Sequence, residues 1–104
     1  MVTVRCNADD GLSLRLRDEI QHAFRRSRDF KLTDTAGDGI LLVSIPSNVD
    51  WTESKGKTTA HYVLNLQDDH TTAKLTGVCR ENELSKCGSA IVKDVRATIA
   101  TWKR

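Results

Sequence analysis

The strongest constraint on how this chain folds is an apolar stripe near its carboxy-terminal end. Leu84, Gly88, Ile91, Val95, Ile99 and Trp102 recur at spacings of three and four, and Val92 widens the stripe. That period places them on one face of an α-helix running over about residues 83–102. An amphipathic helix draws most of its stability from cover over its apolar face, so the rest of the chain must supply a matching surface. Gly88 is the awkward member, because glycine inside a helix costs about 1 kcal/mol relative to alanine. Either it lets the helix pack closely on a sheet, or the helix begins at Ser89.

A second stripe lies near the other end. Leu12, Leu16, Ile20, Ala23 and Phe24 share one face of a helix extending to about Arg28. Asp9 or Asp10 is placed to cap it by accepting from free backbone N–H groups. Arg25, Arg26 and Arg28 fall in the last turns, where cations suit the helix dipole.

Between the helices the pattern changes to that of strands. Residues 2–6 are rich in β-branched side chains and read as a short strand, as do residues 30–33. The segment 35–39 reads as a turn, with two glycines free to take positive φ. Residues 40–45 are almost continuously apolar, as expected for a strand at the centre of a sheet, and Pro46 ends it. Residues 47–57 read as a polar loop. From 58 to 67 the sequence alternates, with Ala60, Tyr62, Leu64 and Leu66 on one face. After a turn at Asp68-Asp69-His70, residues 71–79 give the last strand. The last three strands are expected to form a meander. The prediction is an α+β domain of order β-α-β-β-β-β-α, with a mixed, mostly antiparallel sheet and both helices on one face. At 104 residues the chain suits one domain, 1–104, with one core.

The charges nearly cancel, at a formal net +2, which argues against a dedicated nucleic-acid binder. No apolar run reaches the roughly 20 residues that cross a bilayer as a helix. The start, residues 1–6, shows no basic region followed by an apolar one. Two readings follow: a cytoplasmic protein, or a chain whose leader has been removed. The abrupt start on a strand favours the second.

Cys79 and Cys87 stand eight positions apart around a strand-to-helix turn, close enough to bridge. A loop that short would stabilise the fold by about 2.5 kcal/mol through lost chain entropy, and the bond would imply an oxidising compartment. The competing expectation is two free thiols acting as small apolar groups. Cys6 is left over, buried in the first strand.

Chemical motifs are absent. His22, His61 and His70 have no metal-ligand spacing among themselves or with the cysteines. There is no nucleophile elbow, and Gly37-Asp38-Gly39 precedes a strand rather than a helix, the wrong setting for a phosphate loop. No catalytic residue, cofactor or metal is expected. Two apolar residues stand out as anchors for a protein partner. Leu14 falls opposite the stripe of the first helix, and Trp51 falls in the polar loop. The ordinary alternatives are a lone surface leucine and a tryptophan folded back on the sheet edge.

One resemblance adds to this. Residues 2–32 run as a strand, then Asp10-Gly11, then Leu12, Leu16, Ile20 and Ala23-Phe24, then Ser27 and Phe30-Lys31-Leu32. This resembles the amino-terminal domain of the Tol–Pal system protein TolB, the curli secretion lipoprotein and the lipoproteins that activate peptidoglycan synthases. The likeness covers about a third of the chain, and it carries no functional motif over residue by residue. It implies a periplasmic α/β domain that works by binding other proteins. The expected function is therefore a non-enzymatic bacterial envelope or secreted domain with a protein partner. The alternative is a small cytoplasmic ligand-binding or regulatory domain with a closed pocket and reduced cysteines.

Overall fold

A computed structural model describes residues 1–34, 37 and 39–102. Among the described residues, five strands and two helices follow the order β1 (Val2–Cys6), α1 (Gly11–Arg26), β2 (Leu41–Ile45), β3 (Asp50–Ser54), β4 (Lys57–Gln67), β5 (Thr72–Arg80) and α2 (Leu84–Trp102). A single 3₁₀ turn, Glu81–Glu83, leads into α2. The α+β class and the order agree with the sequence reading. Two of the strands behind that order do not.

The first difference is at residues 30–33. Only Leu32 bridges, in parallel, to Val2. Phe30 instead turns inward against Phe24, edge to face, with ring centroids 4.9 Å apart, and no longer ladder forms. The second difference is the supposed loop at 47–57. Residues 50–54 are a strand, paired antiparallel with the start of β4. Lys55 and Gly56 form the two-residue turn between them, both at positive φ, 53° and 75°. That is the turn whose twist matches a hairpin. The segment 35–39 lies largely outside the described residues, although Gly39 does take a positive φ of 78°.

β4 organises the sheet. β5 pairs with it from Thr59 to Gln67 and occupies one edge. β2 and β3 must therefore share the other edge, β2 beside Asn65–Gln67 and β3 beside Lys57–His61. From Leu42 to Asp50 there are eight steps, against six from Gln67 to His61. The two extra residues are taken up around Pro46, which cannot donate to a ladder. β1 pairs parallel with β2, with α1 as the crossover. The three strands expected as a meander, β2, β4 and β5, do lie side by side and antiparallel, but β3 intervenes in sequence between β2 and β4 and takes the remaining stretch of the same β4 edge.

Side-chain alternation sorts the sheet into two faces. Val2, Val4, Leu41, Val43, Ile45, Ala60, Tyr62, Leu64, Leu66 and Cys79 are buried on one face, in a single core with Leu16, Ile20 and Phe24 of α1 and Leu84, Ile91 and Val95 of α2. Both helices therefore cover the same face. Gly88 lies inside α2, and its role differs from the expected one. A Cβ there would come within 2.6 Å of the Glu19 carbonyl oxygen, so the glycine lets α2 approach the backbone of α1, not the sheet. Gly77 opposes Tyr62 across the β4–β5 ladder, and a Cβ there would collide with the tyrosine ring.

Of the two candidate caps, Asp10 takes the role: its Oδ2 accepts from the Ser13 N–H at 3.2 Å. Burial pushes the Asp10 carboxyl up, but hydrogen bonds from the Ser13 side chain and backbone outweigh it and hold the group below its ordinary value. Ser13 itself is fully buried. Its hydroxyl oxygen accepts from the Val49 N–H at 3.0 Å, fastening the start of α1 to the irregular segment between β2 and β3.

Candidate functional site

With both helices on one side, no helix among the described residues covers the opposite face of the sheet at β4 and β5. On β4 this face carries Thr59, His61, Val63, Asn65 and Gln67; on β5 it carries Thr72, Lys74, Thr76, Val78 and Arg80. Val78 is 61% exposed and Val63 40%. Val63 opposes Thr76 and Val78 opposes His61, so the two valines are diagonal neighbours, within reach of one another. They form a small apolar spot between threonines, with Lys74 and Arg80 along β5. Asn65 sits between Ser44 and Lys74 in the same cross-strand row, and its Oδ1 is buried with no hydrogen-bond partner.

The residues singled out from sequence fall in three places. Trp51 is in β3, opposite Ala60, which in turn opposes Cys79. It therefore belongs to the helix-side face, but at the sheet margin, and remains 44% exposed. Leu14 is in the first turn of α1 and is half-buried, not an open surface leucine. The two are on different elements, α1 and β3. Cys79 and Cys87 form a disulfide with a Cα–Cα distance of 6.0 Å, tying the end of β5 to the start of α2. Cys6 is a free thiol, half-buried at the end of β1.

The sequence matches no protein-family model and no curated protein.

Other polar chemistry has structural explanations. Asp68 Oδ1 accepts from the His70 and Thr71 N–H groups, at 2.8 and 2.6 Å, the ordinary chemistry of an Asx turn. The His70 bond is the main reason the Asp68 carboxyl is held below its usual value. Asp18 pairs with Arg17 at 2.8 Å. His61 Nε2 lies 3.4 Å from the Thr52 hydroxyl. Among the described residues no three of His, Cys, Asp and Glu gather as metal ligands, and no helix is long and apolar enough to cross a membrane.

The exposed valines were missed in the sequence, yet their signal was there. Both stand out of phase with the apolar face of their own strand. Apolar residues out of phase with an alternating strand are readable as exposed side chains.

Proposed function

We propose that this domain is a non-enzymatic module of a bacterial envelope or secreted protein that binds a protein partner. The observation that carries the reading is the one-sided sheet, with Val63 and Val78 together on a face that no helix covers among the described residues. Two further points support it. The Cys79–Cys87 bond suits an oxidising compartment, and residues 2–32 resemble periplasmic domains that act by binding proteins.

Two measurements test it. Alkylation without reduction, followed by mass spectrometry, should find one free thiol, Cys6, in protein from its native compartment; three free thiols would remove the envelope assignment. For the partner, a photoreactive residue in place of Val78 should give a discrete protein adduct in the producing cells. The same probe in place of Arg25, exposed on the helix layer, should not. Equal labelling at both positions, or none at position 78, would overturn the reading.

The alternative of a cytoplasmic ligand-binding domain would draw on a cleft with both apolar and polar lining. An open cleft of about 330 Å³ has Phe30, Leu41, Ile99 and Trp102 in its apolar part, with Asp69 and His70 among the polar residues around it. That alternative requires reduced cysteines and a metabolite that raises Tm.

A further inference from the structure

The sheet has three outer edges, and they are not equally protected. The edge of β1 is used: the Val2 N–H donates to the Lys31 carbonyl at 2.9 Å, and the Thr33 N–H donates to the Val2 carbonyl at 2.8 Å. The edge of β3 is five residues long and carries Asp50 and Glu53. Short length and charge are the usual means of keeping an edge from pairing with other chains. β5 has neither. It runs nine residues, keeps one unbroken register with β4, and contains no proline, no bulge and no acidic residue.

The turns at the two ends of β4 establish which backbone groups point outward. The Asp68 N–H donates to the Thr71 carbonyl, which makes that pair a hydrogen-bonded one. Bonded and non-bonded pairs alternate along an antiparallel ladder. Ala73, Leu75, Gly77 and Cys79 therefore turn their backbone groups toward β4. Thr72, Lys74, Thr76 and Val78 turn theirs away from it. The two-residue turn at Lys55-Gly56 gives the same phase, since Ser54 and Lys57 flank it as a bonded pair. Among the described residues the N–H and C=O groups of Thr72, Lys74, Thr76 and Val78 have no backbone partner on the outer side.

We infer that the β5 edge is the docking site for an extended acidic segment of a partner protein, which adds as a sixth strand. This rests on the partner-binding reading above and names its site and chemistry. Backbone pairing supplies the attachment, and side chains on alternate positions supply the choice of partner. On the open face of β5 the only charges are Lys74 and Arg80, six positions apart, with Val78 between them. The complementary segment carries carboxylates six positions apart and an apolar residue opposite Val78. Its other side chains are small or apolar, because they lie beside Ala73, Leu75 and Gly77. A second copy of this chain is the poorer occupant: it would bring Lys74 and Arg80 against the same two cations, with no carboxylate on either strand.

The test uses the full chain and a synthetic eleven-residue peptide with two glutamates six positions apart, a valine two positions from the one that meets Arg80, and β-branched residues between. With peptide at about ten times its Kd, hydrogen exchange at the amides of Thr72, Lys74, Thr76 and Val78 should slow about tenfold. A peptide with lysines in place of the glutamates should not slow it. Thr76→Pro should abolish protection while the fold survives, because proline is tolerated where the N–H faces out of a sheet edge; Lys74→Glu should do the same without touching the backbone. Protection that rises with protein concentration in the absence of peptide would overturn the inference in favour of a second copy. Protection confined to positions other than these four, or no protection at all, would also overturn it. The probe at position 78 separates this failure from the wider one. Adducts that persist in Thr76→Pro leave the partner-binding function standing and remove the edge, whereas adducts missing from the unmodified edge as well remove both.

Discussion

The two faces of β4 are made by one strand, yet they obey different rules. Ala60, Leu64 and Leu66 are fully enclosed, and Tyr62 nearly so, while His61, Val63 and Gln67 alternate with them and face solvent. On the covered side every residue is constrained by a neighbour. Tyr62 lies across Gly77, α2 crosses α1 at Gly88, and the Cys79–Cys87 bond closes the layer at one end. On the open side almost nothing is required by the fold. Residues there are free to be selected for what they meet, and this is why an apolar pair on that side is informative where one on the covered side is not.

The contrast is broken most directly by adjacent substitutions in β4. Leu64→Ala should lose about 2–5 kcal/mol, the range for emptying a packed core position. Val63→Ala, one residue away, should stay within about 0.5 kcal/mol, as exposed positions do. Urea unfolding of both variants measures the difference. A large loss at Val63 would mean that the open face is part of the folding core and that its valines need no partner to explain them.

The covered face should also depend on its disulfide. Cys87→Ser should cost about 2.5 kcal/mol, because it releases a short loop in the unfolded chain, and reductant should bring the native protein to the same stability as the variant. Reductant that leaves Tm unchanged would place the Cys79–Cys87 bond outside the forces that hold this layer. A smaller effect is expected where the helices cross. Gly88→Ala gains about 1 kcal/mol of helix propensity, but its Cβ meets backbone at Glu19, where overpacking costs about 1–3 kcal/mol. The net should be destabilising, whereas alanine at a free helix site stabilises. A rise in Tm would show that α1 and α2 are able to separate at that point at little cost.

This unevenness also explains what was legible in the sequence. The covered face is written in periodicity. The stripes of Leu12 to Phe24 and Leu84 to Trp102 and the alternation of Ala60 to Leu66 gave the class and both helices without any structure. β3 was illegible by the same test, because all five of its residues are exposed and no inside–outside pattern exists to read. Its one local sign was Lys55-Gly56, a two-residue turn in which lysine takes the left-handed conformation more usual for Asn or Asp. Residues 30–33 erred the other way: a strand-like composition spent its aromatic residue on Phe24. For the site, the cysteine pair was legible from spacing. The free edge of β5 was not, since an edge is defined by the strand that is missing from beside it.

The smallest effect concerns the start of α1, where a charged residue caps the helix. The Asp10 carboxyl is held below its ordinary value in the folded protein by its Ser13 hydrogen bonds, against the upward push of burial. A group whose folded value is depressed stabilises the fold above its unfolded value, near 3.9, and that contribution is lost as pH falls through the folded one. Asp10→Ala should therefore cost about 1 kcal/mol at neutral pH, as loss of a helix cap does, and the gap to the native protein should close as the pH is taken below about 4. Asp10→Asn separates the two contributions. Asparagine caps nearly as well as aspartate but does not titrate, so this variant should stay close to native stability at pH 7 and lose less on acidification. Stability measured by urea unfolding across pH 3–7 decides the matter. A gap for Asp10→Ala that stays constant over that range would mean that the cap acts through its geometry alone, and that the charge at the start of α1 contributes nothing to holding the helix layer on the sheet.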